Sequence, residues 1–141
     1  MTYKIFQAKT EVLSDALCFV DQMLDNYECP MRDQTAVCVA IEDVFVNIAH
    51  YAYADSDWHM TLGIGFDKES GSFSFRITFK GVPCDALKKL DSDVTLSVEE
   101  HEIVAPGIVA ARKYMNSVIY AYENGENILT MTKSITAEEK I

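Results

Sequence analysis

The chain reads as an α+β protein, a two-layer sandwich with helices gathered on one face of a mixed, mostly antiparallel sheet. Three observations predict this. Apolar residues recur at helical spacing through two long segments of the first 53 residues. Four runs of alternating or β-branched character come in two pairs, each joined by a short polar turn. A third helical stretch separates the pairs, so strands and helices are segregated rather than alternating one by one.

Residues 3–8 form a short first strand. Thr10, as N-cap, opens a helix that places Val12, Leu13, Leu17, Val20 and Leu24 at helical spacing to about Tyr27, and Pro30 ends that unit. A second helix runs from Asp33 or Thr35 to Tyr53 and is closed by Asp55-Ser56-Asp57. His59 to Phe66 and Ser72 to Lys80 form a hairpin around residues 67–71, with Phe73, Phe75, Ile77 and Phe79 at period two on its buried side. Residues 81–104 lose all periodicity and carry many charges, the mark of a functional lid or a disordered segment in a compact domain. Pro106 suits the first turn of a third helix, Gly107 to about Met115, because it has no N–H to leave unpaired there. Val118 to Glu123 and Asn127 to Lys133 close the chain as a hairpin around Asn124-Gly125.

The 141 residues make one ordinary domain, 1–141, and 49% hydrophobic content suffices for a core. Twelve Lys and Arg against 22 Asp and Glu leave a net charge of -10, which repels nucleic-acid backbones and anionic membranes. Cys18, Cys29, Cys38 and Cys84 form no C-x-x-C pair, so free thiols in a reducing cytoplasm are expected. The start, MTYKIFQAKT, lacks the pattern of a signal peptide, and no run is long enough to span a membrane. His50, His59 and His101 show no metal-site spacing with any cysteine or acid.

The chemistry concentrates on the second helix, in the stretch IEDVFVNIAHYAY from Ile41 to Tyr53. Asp43, Asn47 and His50 lie four and three residues apart and therefore on one face, a polar line on an otherwise apolar helix. Such groups are either satisfied within the core or serve a ligand, since burying a carboxylate and an amide without partners costs several kcal/mol. A cation would meet the need. The carbonyl oxygen of Asn47 is a hard donor of the kind Mg²⁺ takes, and Asp43 one turn earlier can act as a base.

This helix, the loop after the strand pair and the Gly-bearing turn before the third helix resemble the Bergerat-type nucleotide fold of gyrase, heat-shock chaperone, histidine-kinase and mismatch-repair ATPases. Within it, the chain is most similar to the bacterial anti-sigma-factor serine/threonine kinases, over about residues 10–133. The resemblance implies the histidine kinase-like ATPase fold, ATP with Mg²⁺ as cofactors, and phosphorylation or sequestration of a small regulatory protein. That partner is a sigma factor or an anti-anti-sigma-like protein, and a homodimer is also implied.

The family's acid-x-x-x-Asn motif falls on Asp43, as catalytic base, and Asn47, as Mg²⁺ ligand. Glu42, one residue off in register, points about 100° away. Gly81-Val82-Pro83-Cys84-Asp85 and Asp93 to Ser97 resemble the adenine-side loop and lid, about residues 82–105, and Gly125 to Thr130 resembles the last hairpin. Gly81 would form the base-pocket turn and Gly107 the phosphate-contacting amide.

Three features depart from the family pattern. Phe79 stands in Phe79-Lys80-Gly81 where the family has the aspartate that accepts from adenine, so its ring can only pack or stack. Val104-Ala105-Pro106-Gly107 replaces a Gly-rich run, adding β-carbons and removing one N–H. Asp43 is one methylene shorter than the family's glutamate. An alternative function follows from these, a nucleotide-independent protein-binding module whose pocket has decayed.

Overall fold

The computed structural model describes residues 1–51, 59–80 and 111–135. Its elements are β1 (Thr2–Gln7), a 3-10 turn (Thr10–Val12), α1 (Leu13–Asn26), α2 (Met31–Tyr51), β2 (His59–Asp67), β3 (Ser72–Lys80), β4 (Ser117–Glu123) and β5 (Glu126–Ser134). Residues 111–114 are helical and lead into β4. Residues 52–58, the segment expected as a lid at about 82–105, Gly81 and Gly107 lie outside the described residues.

The five strands form one sheet in the order β1-β2-β3-β5-β4, with every neighbouring pair antiparallel. Two hairpins are local. In the second, Asn124 and Gly125 both take positive φ, 54° and 78°, the pair of left-handed residues that a two-residue hairpin turn demands. Gly71, at φ 66°, does the same in the turn before β3. The β3–β5 and β1–β2 pairings join distant parts of the chain, with Ile77 opposite Leu129 and Phe6 opposite Met60.

Period-two alternation turns Met60, Leu62 and Ile64 of β2, Phe73, Phe75, Ile77 and Phe79 of β3, and Leu129 and Met131 of β5 to one face, where all are buried. The helices supply the other half of this core through Ala16, Phe19, Val20 and Leu24 of α1 and Val37, Ile41, Val44, Phe45 and Ile48 of α2. A fully buried Leu, Ile or Phe side chain contributes about 1.5–3 kcal/mol, so this layer is the main source of stability. The opposite sheet face carries Tyr3, Ile5, Arg76 and Ile119, all exposed. On the edge strand β1, Lys4 reaches over the Phe6 and Phe19 rings at 5.6 and 5.9 Å, covering apolar surface with a charged tip.

Two helix starts differ from the expectations. Thr10 is not an N-cap: the turn is entered from Lys9, no side chain caps it, and the Thr10 hydroxyl lies 3.5 Å from Glu11 Oε1. α2 begins at Met31, two to four residues before the expected Asp33 or Thr35, because Pro30 is the entry to the helix as well as the end of the preceding unit. Its carbonyl accepts the first helical bond from Gln34 N at 2.9 Å. α1 and α2 are also tied by polar groups, for Asp21 Oδ1 accepts from Gln34 Nε2 and from Cys38 Sγ, each at 3.1 Å.

Candidate functional site

α2 carries Asp43 and Asn47 on its second half, at the end of the sheet where β3 finishes with Phe79 and Lys80. Both side chains are half-buried, while Val44, Phe45 and Ile48 between and beside them are buried in the core. One stripe of the helix faces the sheet, and the polar pair lies along its margin. The expected third member of the line, His50, belongs to α2, but its side chain lies outside the described residues.

Asn47 is held in one orientation. Its Nδ2 donates to the backbone carbonyl of Asp43 at 2.8 Å. A carbonyl only accepts, so the atom that meets it must be the NH2, and the amide flip is fixed by chemistry. Oδ1 is therefore the end turned away from the helix backbone. The geometry leaves a hard, neutral oxygen donor at a margin that water or a ligand can reach. Burial, and after it the charge of the adjacent Glu42, raises the Asp43 carboxyl above its ordinary range. A carboxyl so raised is a better proton acceptor when ionised than an ordinary surface aspartate.

The other end of the expected site is built differently. Phe79 is only 5% exposed and belongs to the hydrophobic core, opposite Met60 on one side and Asn127 on the other. Asn127, fully buried, accepts from the Tyr120 hydroxyl and donates through Nδ2 to the Phe79 carbonyl at 3.4 Å. The two ends of β3 and β5 are thereby locked by a buried amide. The sequence offered a sign of this, an asparagine at an inward position of a strand whose other inward residues are Leu129 and Met131. Its partners could not be read, because Phe79 lies 48 residues away along the chain.

No group of three His, Cys, Asp or Glu among the described residues could hold a metal by itself. A Mg²⁺ at Asn47 would thus depend on oxygens other than a protein cage, as phosphate-bound Mg²⁺ does. Among the described residues no helix is long and apolar enough to cross a membrane. Cys18, Cys29 and Cys38 are free thiols, and burial drives two of them far from reactivity, Cys29 to about 11 and Cys38 to about 12. For Cys38 the hydrogen bond to the Asp21 carboxylate adds to burial.

The arrangement is shared with solved structures of low sequence identity. The RsbU and RsbW domains of a Mycobacterium tuberculosis protein superpose with a TM-score of 0.66 at 12% identity, over 96% of this chain. This chain spans 33% of that protein's length. The SiaB–SiaC complex of Pseudomonas aeruginosa gives a TM-score of 0.62 at 11% identity, covering 92% of this chain and 88% of that one. At such identities the likeness is one of fold. No curated protein matches the chain in sequence. Residues 6–133, from the end of β1 to the end of β5, match the family model of the histidine kinase-like ATPase domain, and the chain belongs to that family.

Proposed function

We propose that this protein binds Mg-ATP and acts on a small regulatory protein, phosphorylating or sequestering it in the manner of anti-sigma-factor serine/threonine kinases. The observation that carries this reading is the fixed amide of Asn47, whose Nδ2 is engaged by the Asp43 carbonyl at 2.8 Å so that Oδ1 is offered outward. In this reading Asn47 holds the Mg²⁺ and Asp43 takes the proton from the partner's hydroxyl. The raised pKa of Asp43 suits that role, and the short side chain keeps the carboxylate close to the helix. Bound Mg-ATP supplies the phosphoryl group and its neutralising charge. Gly81 and Gly107 would contribute backbone turns to the base and phosphate ends, and Phe79 a packing surface. The partner, a sigma factor or an anti-anti-sigma-like protein, is in keeping with a fold relative solved as a complex of two proteins. A cytoplasmic setting suits the free thiols. A single domain over 1–141, with a lid at about 82–105, and a homodimer complete the proposal.

A second reading is favoured by the other end of the site. Where the family's adenine-accepting carboxylate would stand, Phe79 is part of the core and its backbone is bonded to Asn127. A base there gains packing without an acceptor for its amino group, and an unmet hydrogen bond costs about 1–3 kcal/mol. If that loss exceeds what Mg²⁺ and the phosphates supply, the protein is a nucleotide-independent binding module. Calorimetry with Mg-ATP separates the two. Saturable heat at or below millimolar nucleotide, lost when Mg²⁺ is omitted, is expected; a flat titration discards the ATP-dependent reading and leaves the binding module.

A further inference from the structure

β1 is one of the two edge strands, and among the described residues its other side meets no strand. Edges of this kind are ordinarily guarded by a proline, a bulge, or long charged side chains that stand across the open backbone. β1 has none of these. Its six residues run against β2 without interruption, from Thr2 opposite Ile64 to Gln7 opposite His59.

The side chains that could stand guard lean the other way. On the inner face Lys4 reaches over the Phe6 and Phe19 rings. On the outer face β2 presents Gly63 and Gly65, and Tyr3 and Met1 fill the space above them. A Cβ on Gly63 would stand 2.5 Å from the Tyr3 ring and 2.9 Å from Met1 Sδ, and one on Gly65 would stand 3.4 Å from Met1 Cγ. Glycine at these two positions lets the β1 side chains lie down on their own sheet, and the open backbone is left clear. Lying there does not bury them. Met1, Tyr3 and Ile5 remain 51, 53 and 65% exposed, an apolar strip beside the open edge.

Charge selects the occupant. The chain carries a net charge of -10, so two copies repel unless they meet where acids are missing. Residues 1–9, MTYKIFQAK, hold two lysines and no acid. The opposite edge strand, β4, ends in Glu123 beside Glu126 of β5, and would bring like charges together. We propose that β1 is the seat of a second copy: the two β1 strands pair antiparallel about a two-fold axis and join the five-stranded sheets into one of ten strands. Opposite residues in a continuous sheet share a face, so the axis passes through a residue and not between two. An axis at Lys4 would set Lys4 against Lys4, a destabilising pair, and an axis at Ile5 would leave Met1 outside the seam. An axis at Tyr3 avoids both and sets Met1 against Ile5 of the second copy, covering the whole apolar strip. The proposal rests on the homodimer of the functional reading above, and not on nucleotide binding.

The test is analytical ultracentrifugation of the full chain, without nucleotide, from about 5 to 200 µM. A reversible monomer–dimer equilibrium is expected, strengthened as NaCl is raised from about 50 to 500 mM, because salt screens the net charge. Ile5→Lys should weaken the dimer at least tenfold, and Tyr3→Lys likewise, with circular dichroism checking that each variant is folded. Ile5 is the primary position because its side chain is the most exposed of the three. Ile119→Lys, on the opposite edge strand, should leave the dimer unchanged. Amide hydrogen exchange should slow on dimerisation within residues 2–7, as backbone pairing requires. A chain that stays monomeric at ~200 µM overturns both this surface and the homodimer, while calorimetry with Mg-ATP still judges the nucleotide reading separately. A dimer that survives in folded Ile5→Lys, weakens with salt, gains no protection in β1 or depends on Ile119 has its contact elsewhere, which overturns the proposal alone. Growth beyond the dimer overturns it as well, since only pairing of β1 with a different surface propagates.

Discussion

Replacing Asn47 with alanine separates a ligand-binding amide from a structural one, because the geometry predicts a small effect without nucleotide and a large one with it. In the free protein the variant loses one side-chain hydrogen bond, Nδ2 to the Asp43 carbonyl. At a half-buried position such a bond is worth about 0.5–1.5 kcal/mol. The carbonyl left behind also faces the next helical N–H, and alanine is a better helix former than asparagine by up to ~0.7 kcal/mol. The two nearly offset, so the free variant should lie within about 1 kcal/mol of the parent. An unfolding entropy of ~2.1 cal/mol/K per residue makes this a change of about 3 °C or less in Tm for a chain of 141 residues. With Mg-ATP at a hundredfold excess over Kd, the parent gains about 2.7 kcal/mol, roughly 9 °C by the same conversion, and the variant should gain almost none. Scanning fluorimetry with and without Mg-ATP reads all four states. A loss of more than ~2 kcal/mol in the free variant, together with no nucleotide effect in the parent, would refute the reasoning and make Asn47 part of the core.

Three further outcomes follow from particular groups. Asp43→Asn should abolish phosphoryl transfer yet raise the Tm of the free protein at pH 7: a folded carboxyl pKa above the unfolded one means the folded state binds more protons, so stability falls as pH rises between the two values. The gain should vanish once the pH is below the ordinary carboxylate range, as melting curves between pH 3 and 8 would show. Asn127→Ala should cost about 1–3 kcal/mol in urea unfolding, since it removes a fully buried amide that accepts from the Tyr120 hydroxyl and donates to the Phe79 carbonyl; a cost below ~0.5 kcal/mol would mean that the β3–β5 lock is dispensable. Among the thiols Cys18, Cys29 and Cys38, limited alkylation at pH 8 followed by peptide mass mapping should label exposed Cys18 first. With pKa values pushed up to about 11 and about 12, Cys29 and Cys38 are thiolate in only about one molecule in a thousand and one in ten thousand.

Local physics made most of the fold legible. Phe73, Phe75, Ile77 and Phe79 alternate strictly, and β3 occupies Ser72–Lys80 as read. Asn124-Gly125 specified its own turn, because both residues tolerate positive φ. Errors arose where a residue serves two neighbours at once. Pro30 closes one unit and starts α2, and Thr10 sits inside a 3-10 turn that its hydroxyl does not cap. What could not be read was non-local. Nothing near Asn127 in sequence says that it will face Phe79, and nothing near Asp33 says that Lys133 will approach it. The positions of Asp43 and Asn47 on one helix face follow from a 3.6-residue period; the orientation of the Asn47 amide is set by its bond to the Asp43 carbonyl, one of several partners an asparagine side chain could take.

The place of β1 in the sheet has a consequence for synthesis. β1 is the first strand made, but among the described residues it pairs with β2 alone, with Phe6 opposite Met60. At translation rates of ~5–20 residues per second, about 3–11 s pass before that partner exists. During this interval the emerging chain can form α1 and α2, whose contacts are near in sequence, while the first strand waits without its sheet partner and Phe6 lacks its cross-strand neighbour. The sheet then assembles from its centre outward as β2 and β3 close their hairpin, and β5 must leave the ribosome before β3 gains its second neighbour. A chain cut short within β5 would leave β3, which carries Phe73, Phe75, Ile77 and Phe79, as an open edge able to pair with another molecule.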